Sequence, residues 1–159
     1  MSNGFIFYES EDIVCIATGN SSNKKTGDEV QTWVLYKHEP PNIAIDTGKD
    51  SIICGDCKHR GIVLSLDDAT IYSDMLTTPK KKALLKRIED KRAKGLNSIN
   101  IDRECYVLVF QAPLAVYKCW KRGGYPTLTP KQAQKRLAYK VVRLGSYGDP
   151  VHVPLEVWN

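Results

Sequence analysis

"ECYVLVFQ", Glu104–Gln111, is the most strand-like run in the chain, and the fold class turns on how it is read. Apolar residues fill nearly all of it, the pattern of a strand buried on both faces. Downstream, "PLAVYKCWKRGG" (113–124) reads as a short helix closed by glycine. "TPKQAQKRLAYK" (129–140) reads as another, with Thr129 as its cap and Pro130 at the first helical position. "KVVRLG" (140–145) is a strand, "SYGDP" (146–150) the loop at its C-terminal end, and "PLEVW" (154–158) the start of a further helix. This βα order predicts an α/β fold with a partly parallel sheet. In such sheets functional residues gather beyond the carboxyl ends of strands, where "RLGSYGDP" (143–150) stands.

Before Glu104, short apolar segments alternate with turn signals. "DIVCIAT" (12–18) is a strand, ended by the polar loop "GNSSNKKTGDE" (19–29). "VQTWVLYK" (30–37) is a second, from its β-branched and aromatic content, and the prolines of "EPPN" (39–42) stop it. "NIAID" (42–46) is a short apolar run, "TGKD" (47–50) a turn, "SIIC" (51–54) the approach to Cys54, and "GIVLSL" (61–66) another strand. Thr78 before Pro79 opens a helix that ends near Gly95, with Ala83, Leu84, Leu85 and Ile88 as a narrow apolar stripe.

At 159 residues the chain fits a single domain, 1–159, with its own core. No apolar run approaches the ~20 residues that cross a bilayer, and "MSNGFIFYESEDIV" (1–14) lacks the parts of a signal peptide. A cytoplasmic protein without a membrane partner is expected. Five cysteines, an odd number, argue against a disulfide framework in a reducing compartment. Cys15, inside its apolar run, reads as a buried thiol. The net charge of +5 is uneven: 80–94 holds eight Lys/Arg against two acids, leaving the rest nearly neutral.

Cys54 and Cys57 have the spacing at which one turn presents two thiolates to a metal, and Gly55 permits the turn. Cys105 is the third candidate ligand; His59, Cys119 or an exogenous group is the fourth. Zinc or an iron–sulfur cluster is the cofactor expected, against the bland alternative of reduced structural thiols. A thioredoxin-like role fits poorly, because strand-like "GIVLSL" follows where a helix N-terminus is needed. Lys80, Lys81, Lys82, Lys86, Arg87, Lys91 and Arg92 offer charge for a macromolecule, or simply a solvated helix face. No aromatic lies among them to stack on bases, which places a protein partner ahead of nucleic acid. Asp149 is either a carboxylate for substrate or cation or a turn cap, with Arg143 and His152 nearby. No nucleophile elbow, phosphate-binding glycine loop or zinc-protease helix is present.

"NSSNKKTGDEVQTWVL", "AIDTGKDSIICGDCKHRG", "CYVLVFQAPLAVYKCWKRGGYP" and "RLGSYGDPVHVPLEVW", in that order, resemble the N-terminal half of a poorly characterised family of phage- and plasmid-borne proteins. Its marks are a Lys–Thr–Gly start, a CGDC motif, a Cys–Tyr strand and an R-x-G-x-x-GDP loop, on a fold that resembles a radical-SAM-like β/α barrel. The resemblance implies that Cys54, Cys57 and Cys105 belong together. It also implies that Arg143, Gly145, Gly148, Asp149 and Pro150 line one site. In the family the CGDC and CY motifs stand close; here the basic helix, taken as an insertion over 78–96, separates them. The radical-SAM spacing C-x-x-x-C-x-x-C is absent. The family also continues beyond this chain's last residue, so a partial barrel is expected, from a shortened relative or a fragment.

The sequence thus predicts a phage-like accessory protein of the host cytoplasm, with a cysteine-based metal site, that binds a host macromolecule, a protein first. A small metalloenzyme acting on a nucleotide-like substrate through Asp149 and the cysteines is the second reading. A nucleic-acid-binding protein working through the basic helix is the third.

Overall fold

A computed structural model describes residues 4–19 and 28–158. The Lys–Thr–Gly start and most of the 19–29 loop lie outside the described residues. The strands β1 (Gly4–Glu9), β2 (Ile13–Thr18) and β3 (Val30–Tyr36) are antiparallel neighbours. Every residue of β2 but the last is buried, as its unbroken apolar run requires. Pro40 and Pro41 stop β3 and start α1 (Pro41–Thr47), so the run "NIAID" is helical. Gly48, at φ 78°, turns the chain out of it. The short α2 (Ser51–Cys54) and a 3-10 turn (Lys58–Arg60) frame the CxxC loop.

A second layer follows. β4 (Ile62–Ser65) leads into α3 (Leu66–Ser73), where the Ser65 hydroxyl accepts the Asp68 N–H at 3.0 Å. The basic helix α4 (Thr78–Ala93) comes next, then β5 (Ser98–Ile101), antiparallel to β4. Leu84 and Ile88 of α4 pack with Leu66, Ala69, Ile99 and Ile101 in a small core of their own. Fully burying a side chain such as Ile88 or Ile99 contributes about 1.5–3 kcal/mol. Further contacts fasten this unit to the main sheet's side. Asp46, in α1, accepts the Asn100 N–H of β5 at 3.1 Å and the Lys91 ammonium of α4, while its carbonyl accepts the Ser98 hydroxyl.

The chain then forms α5 (Ala112–Lys121), α6 (Pro130–Leu137), β6 (Val142–Tyr147), a 3-10 turn (Pro150–His152) and α7 (Leu155–Trp158). The Thr129 cap is as expected: its hydroxyl accepts the Gln132 N–H and the Gln132 amide oxygen accepts the Thr129 N–H. β6 lies parallel to β3, completing a sheet of order β1-β2-β3-β6. The result is mixed α/β with the parallel pairing the sequence called for, but the sheet is open and mainly antiparallel rather than part of a barrel. The principal core joins Val14, Ile16, Val34 and Leu35 of the sheet to Ile53, Val109, Val116 and Tyr117. Cys15 is fully buried there, and burial pushes its thiol up to about 12.

One expectation fails. Glu104–Gln111 is not a strand. Several of its backbone groups are satisfied singly: the Arg103 guanidinium donates to the carbonyls of Cys105 and Val107, and the Cys105 N–H goes to His59 O. Only Val109 is fully buried, while Tyr106, Leu108 and Phe110 are exposed. The run is a one-faced cover on the main core, not a buried ladder. The elements β1, α2, α3 and β5 escaped the sequence reading.

Candidate functional site

The CGDC loop is cinched by Arg60. Its guanidinium donates to Gly55 O at 2.8 Å, Gly48 O at 3.2 Å and Asp50 Oδ1 at 2.7 Å. Asp50 is buried, so this ion pair is shielded from solvent and its geometry fixes the loop. Gly55 has φ 53°, and a Cβ there would lie 2.9 Å from His152 Nε2. The glycine therefore admits both the turn and the close approach of the His152 ring. The Cys57 N–H donates to Cys54 O at 3.3 Å, placing the two cysteines on one turn.

The other pieces of the resemblance reach the same junction. The Cys105 N–H bonds to the His59 carbonyl at 3.0 Å, so Cys105 arrives beside the CGDC loop. The Asp149 N–H bonds to the Ile53 carbonyl at 2.6 Å, which seats the GDP loop next to Cys54. The Cys54 thiol is pushed up to about 12, first by burial, then by the nearby charges of Asp50 and Cys105, with Arg60 opposing and Cys57 adding a little. Cys54 thus lies in the field of both other cysteines and is a neutral thiol near pH 7.

Sequence reading missed Tyr147. It is only 2% exposed, and its hydroxyl has no hydrogen-bond partner among the described residues. Its ionisation is driven upward by burial first, then by Cys54 and Asp50, with Arg103 opposing and Cys105 adding. From sequence the phenol falls in the loop "SYGDP"; in the fold it is the last residue of β6 and is buried.

Other expected site residues sort less neatly. The His59 ring is half exposed and 3.8 Å from Glu104. Among the described residues, no three His, Cys, Asp or Glu side chains stand where they could share one metal ion. The four-ligand ion site of Cys54, Cys57, Cys105 and His59 is therefore not formed. The Asp149 carboxylate accepts the Val151 N–H at 3.0 Å, capping its own turn. Arg143 is exposed on β6 and makes no ion pair with Asp149 among the described residues. Gly145 and Gly148, at φ 66° and 75°, shape the loop: a Cβ on Gly148 would lie 2.6 Å from Val34 O.

On α4 the cations divide. Lys91 pairs with Asp46, Lys81 with Asp74 and Arg92 with Asp67, and Arg87 donates to Asn100 O. Lys80, Lys82 and Lys86 are exposed without an ion pair among the described residues. Much of the positive charge seen in the sequence is already answered from within the molecule. No helix of the described residues is long and apolar enough to cross a membrane. Compared with protein-family models, curated proteins and solved structures, the chain matches none, so the chemistry of the junction rests on its own residues.

Proposed function

We propose that the junction of Cys54, Cys57 and Cys105 binds a thiophilic group, and that the chain is a binding protein built around it rather than a catalyst. One observation carries the reading: the buried Tyr147 hydroxyl has no hydrogen-bond partner among the described residues, and the loop that follows it is bonded to Ile53, next to Cys54. A buried hydroxyl without a hydrogen bond costs about 1–3 kcal/mol, which a bound group at the junction offsets. The donor set is soft, and it does not fit a single zinc ion, since no three side chains surround one point. An iron–sulfur cluster takes each thiolate on a different iron, and would need a fourth ligand beyond Cys54, Cys57 and Cys105. When bound, such a cluster supplies an electron-carrying or structural centre. The binding reading is favoured over the metalloenzyme because the Asp149 carboxylate is occupied by its own turn.

The chain's own residues define what loading demands. Cys54 must give up its proton, so uptake rises with pH. Arg60 holds the loop in place through Asp50 and the Gly55 and Gly48 carbonyls. The test is anaerobic incubation with ferrous iron and sulfide, followed by desalting, iron and zinc analysis and a visible spectrum. Coloured, iron-bearing protein is expected, with colour lost in Cys105→Ser and weakened in Tyr147→Phe. Colourless protein that retains no metal, with a triple cysteine-to-serine variant indistinguishable from it, sinks the reading.

A further inference from the structure

From Gln111 to Gly148 the chain contains eight Lys/Arg and not one Asp or Glu. All eight are exposed, and none takes part in an ion pair among the described residues. This contrasts with α4, where Lys81, Lys91 and Arg92 are paired with carboxylates. The acid-free stretch therefore presents more unanswered positive charge than the lysine-rich helix that dominates the sequence.

Five of the eight lie between residues 131 and 143, on α6, the start of β6 and the link that joins them. Lys131 and Lys135 are four apart on α6 and share a face. Arg136 closes the helix with its guanidinium over the Phe5 ring, and Lys140 and Arg143 follow. In their midst stands Tyr139, fully exposed and held at φ 62°. That conformation is costly for a bulky residue, and it leaves the ring standing free among cations.

We propose that this α6–β6 surface docks single-stranded nucleic acid, with Lys131, Lys135, Lys140 and Arg143 on phosphates and Tyr139 stacked on a base. Charge complementarity selects a polyanion. Lysine is depleted in protein–protein interfaces, which argues against an acidic protein as the occupant. An aromatic ring presented alone suits any unpaired base, because every base has a π-face, whereas a duplex hides those faces in its stack. Part of the charge has a local use: Lys135 and Arg136 lie in the last turn of α6, where cations favour the helix dipole. Lys131, Lys140 and Arg143 have no such explanation. This surface is independent of the thiol junction, and its failure leaves that reading untouched.

Fluorescence anisotropy with labelled oligo-dT and oligo-U of about 16 nucleotides, within known single-strand site sizes, tests the proposal. Three variants decide it: Lys131→Gln/Lys135→Gln/Lys140→Gln/Arg143→Gln, Tyr139→Asn, and Lys80→Gln/Lys82→Gln/Lys86→Gln. Asn tolerates the left-handed backbone, so Tyr139→Asn removes the ring without adding strain. Thermal melts confirm that each variant is folded. The quadruple variant is expected to lose at least tenfold in affinity and to flatten the log–log salt slope by about 3, at roughly 0.7 per phosphate contact. Tyr139→Asn should weaken binding severalfold with the salt slope kept, and the α4 variant should change little. No binding by the wild type at low salt overturns the proposal. So does tighter binding to duplex, or a loss carried by the α4 variant instead. Competition by poly-glutamate equal to that of the oligonucleotide, with Tyr139→Asn silent, replaces nucleic acid with an acidic protein.

Discussion

The Lys91 ammonium of α4 sits on the buried Asp46 carboxylate of α1, 45 residues away in sequence. The basic helix is thereby bolted to the side of the molecule that carries the main sheet. Asp46 also accepts the Asn100 N–H, so one carboxylate ties α1, α4 and β5 together. Lys91→Met leaves that carboxylate buried without its cation. The expected cost is about 3–5 kcal/mol, the range for breaking one side of a buried pair. Lys86→Gln, on the exposed face, should stay within about 0.5 kcal/mol of wild type. Urea denaturation of the two variants is the comparison, and equal midpoints would falsify the assignment of Lys91 to a structural role.

Arg60 offers a second test. Lysine retains the charge for Asp50 but lacks the planar fork that reaches Gly55 O and Gly48 O together. Arg60→Lys should loosen the CGDC loop and raise the rate at which Cys54 reacts with a disulfide reagent. Cys15, buried in β2, serves as the internal control and should remain unreactive in the folded state.

The thiols impose a pH dependence on stability. Both Cys15 and Cys54 are pushed up to about 12 in the folded protein, chiefly by burial. In the unfolded chain a cysteine ionises near roughly 8.5. The stabilisation is fully present below the unfolded value and is lost as pH rises from there to about 12, because only the unfolded state releases its protons in that window. Denaturation midpoints should fall above roughly pH 8.5. The Cys54→Ser variant should show a shallower decline. A slope identical to the wild type's would show that the Cys54 thiol is not held neutral by the fold.

Two glycines separate space from backbone strain. Gly95 has φ 71° with nothing within 4 Å of the place an added methyl would take, so Gly95→Ala meets only the left-handed penalty, about 1 kcal/mol. Gly148 has φ 75° and would drive its Cβ to 2.6 Å from Val34 O, so Gly148→Ala should cost clearly more. It should also reduce the cysteine junction's reconstitution, because Asp149 N–H to Ile53 O is the next link along the chain. Melting temperatures rank the two, and an equal loss contradicts the packing.

Local pattern made some elements legible and tertiary partners hid others. β2 and β3 announce themselves through unbroken apolar and β-branched residues, and α6 through Thr129, Pro130 and Gln132. "ECYVLVFQ" misleads because side-chain content does not reveal what satisfies the backbone; here the guanidinium of Arg103 takes two carbonyls that a ladder needs. "NIAID" is too short to display a helical period, and only Pro41 marks it as a helix start. At the site, the Cys105–His59 backbone bond brings Cys105 beside the CGDC loop. Tyr147 was not foreseeable, since its neighbours Cys54 and Cys105 come from distant parts of the chain. The acid-free stretch is legible in the sequence, but the denser lysines of α4 dominate the charge pattern.

The pairing of β6 with β3 sets an order of assembly. Gly145 N–H reaches Thr32 Oγ1 across 113 residues of sequence, and the strands between which that contact forms are the only parallel pair among the described strands of the main sheet. Contacts that span so much chain form late, after the loop entropy has been met by everything enclosed. β1, β2 and β3 close through short connections and gain nothing by waiting. The GDP loop and Tyr147, carried on β6, are then expected to reach α2 and Cys54 after the β1–β3 pairings have formed. During synthesis on the ribosome Cys54 emerges well before β6, and its thiol is expected to be more open to solvent and oxidants until that strand docks.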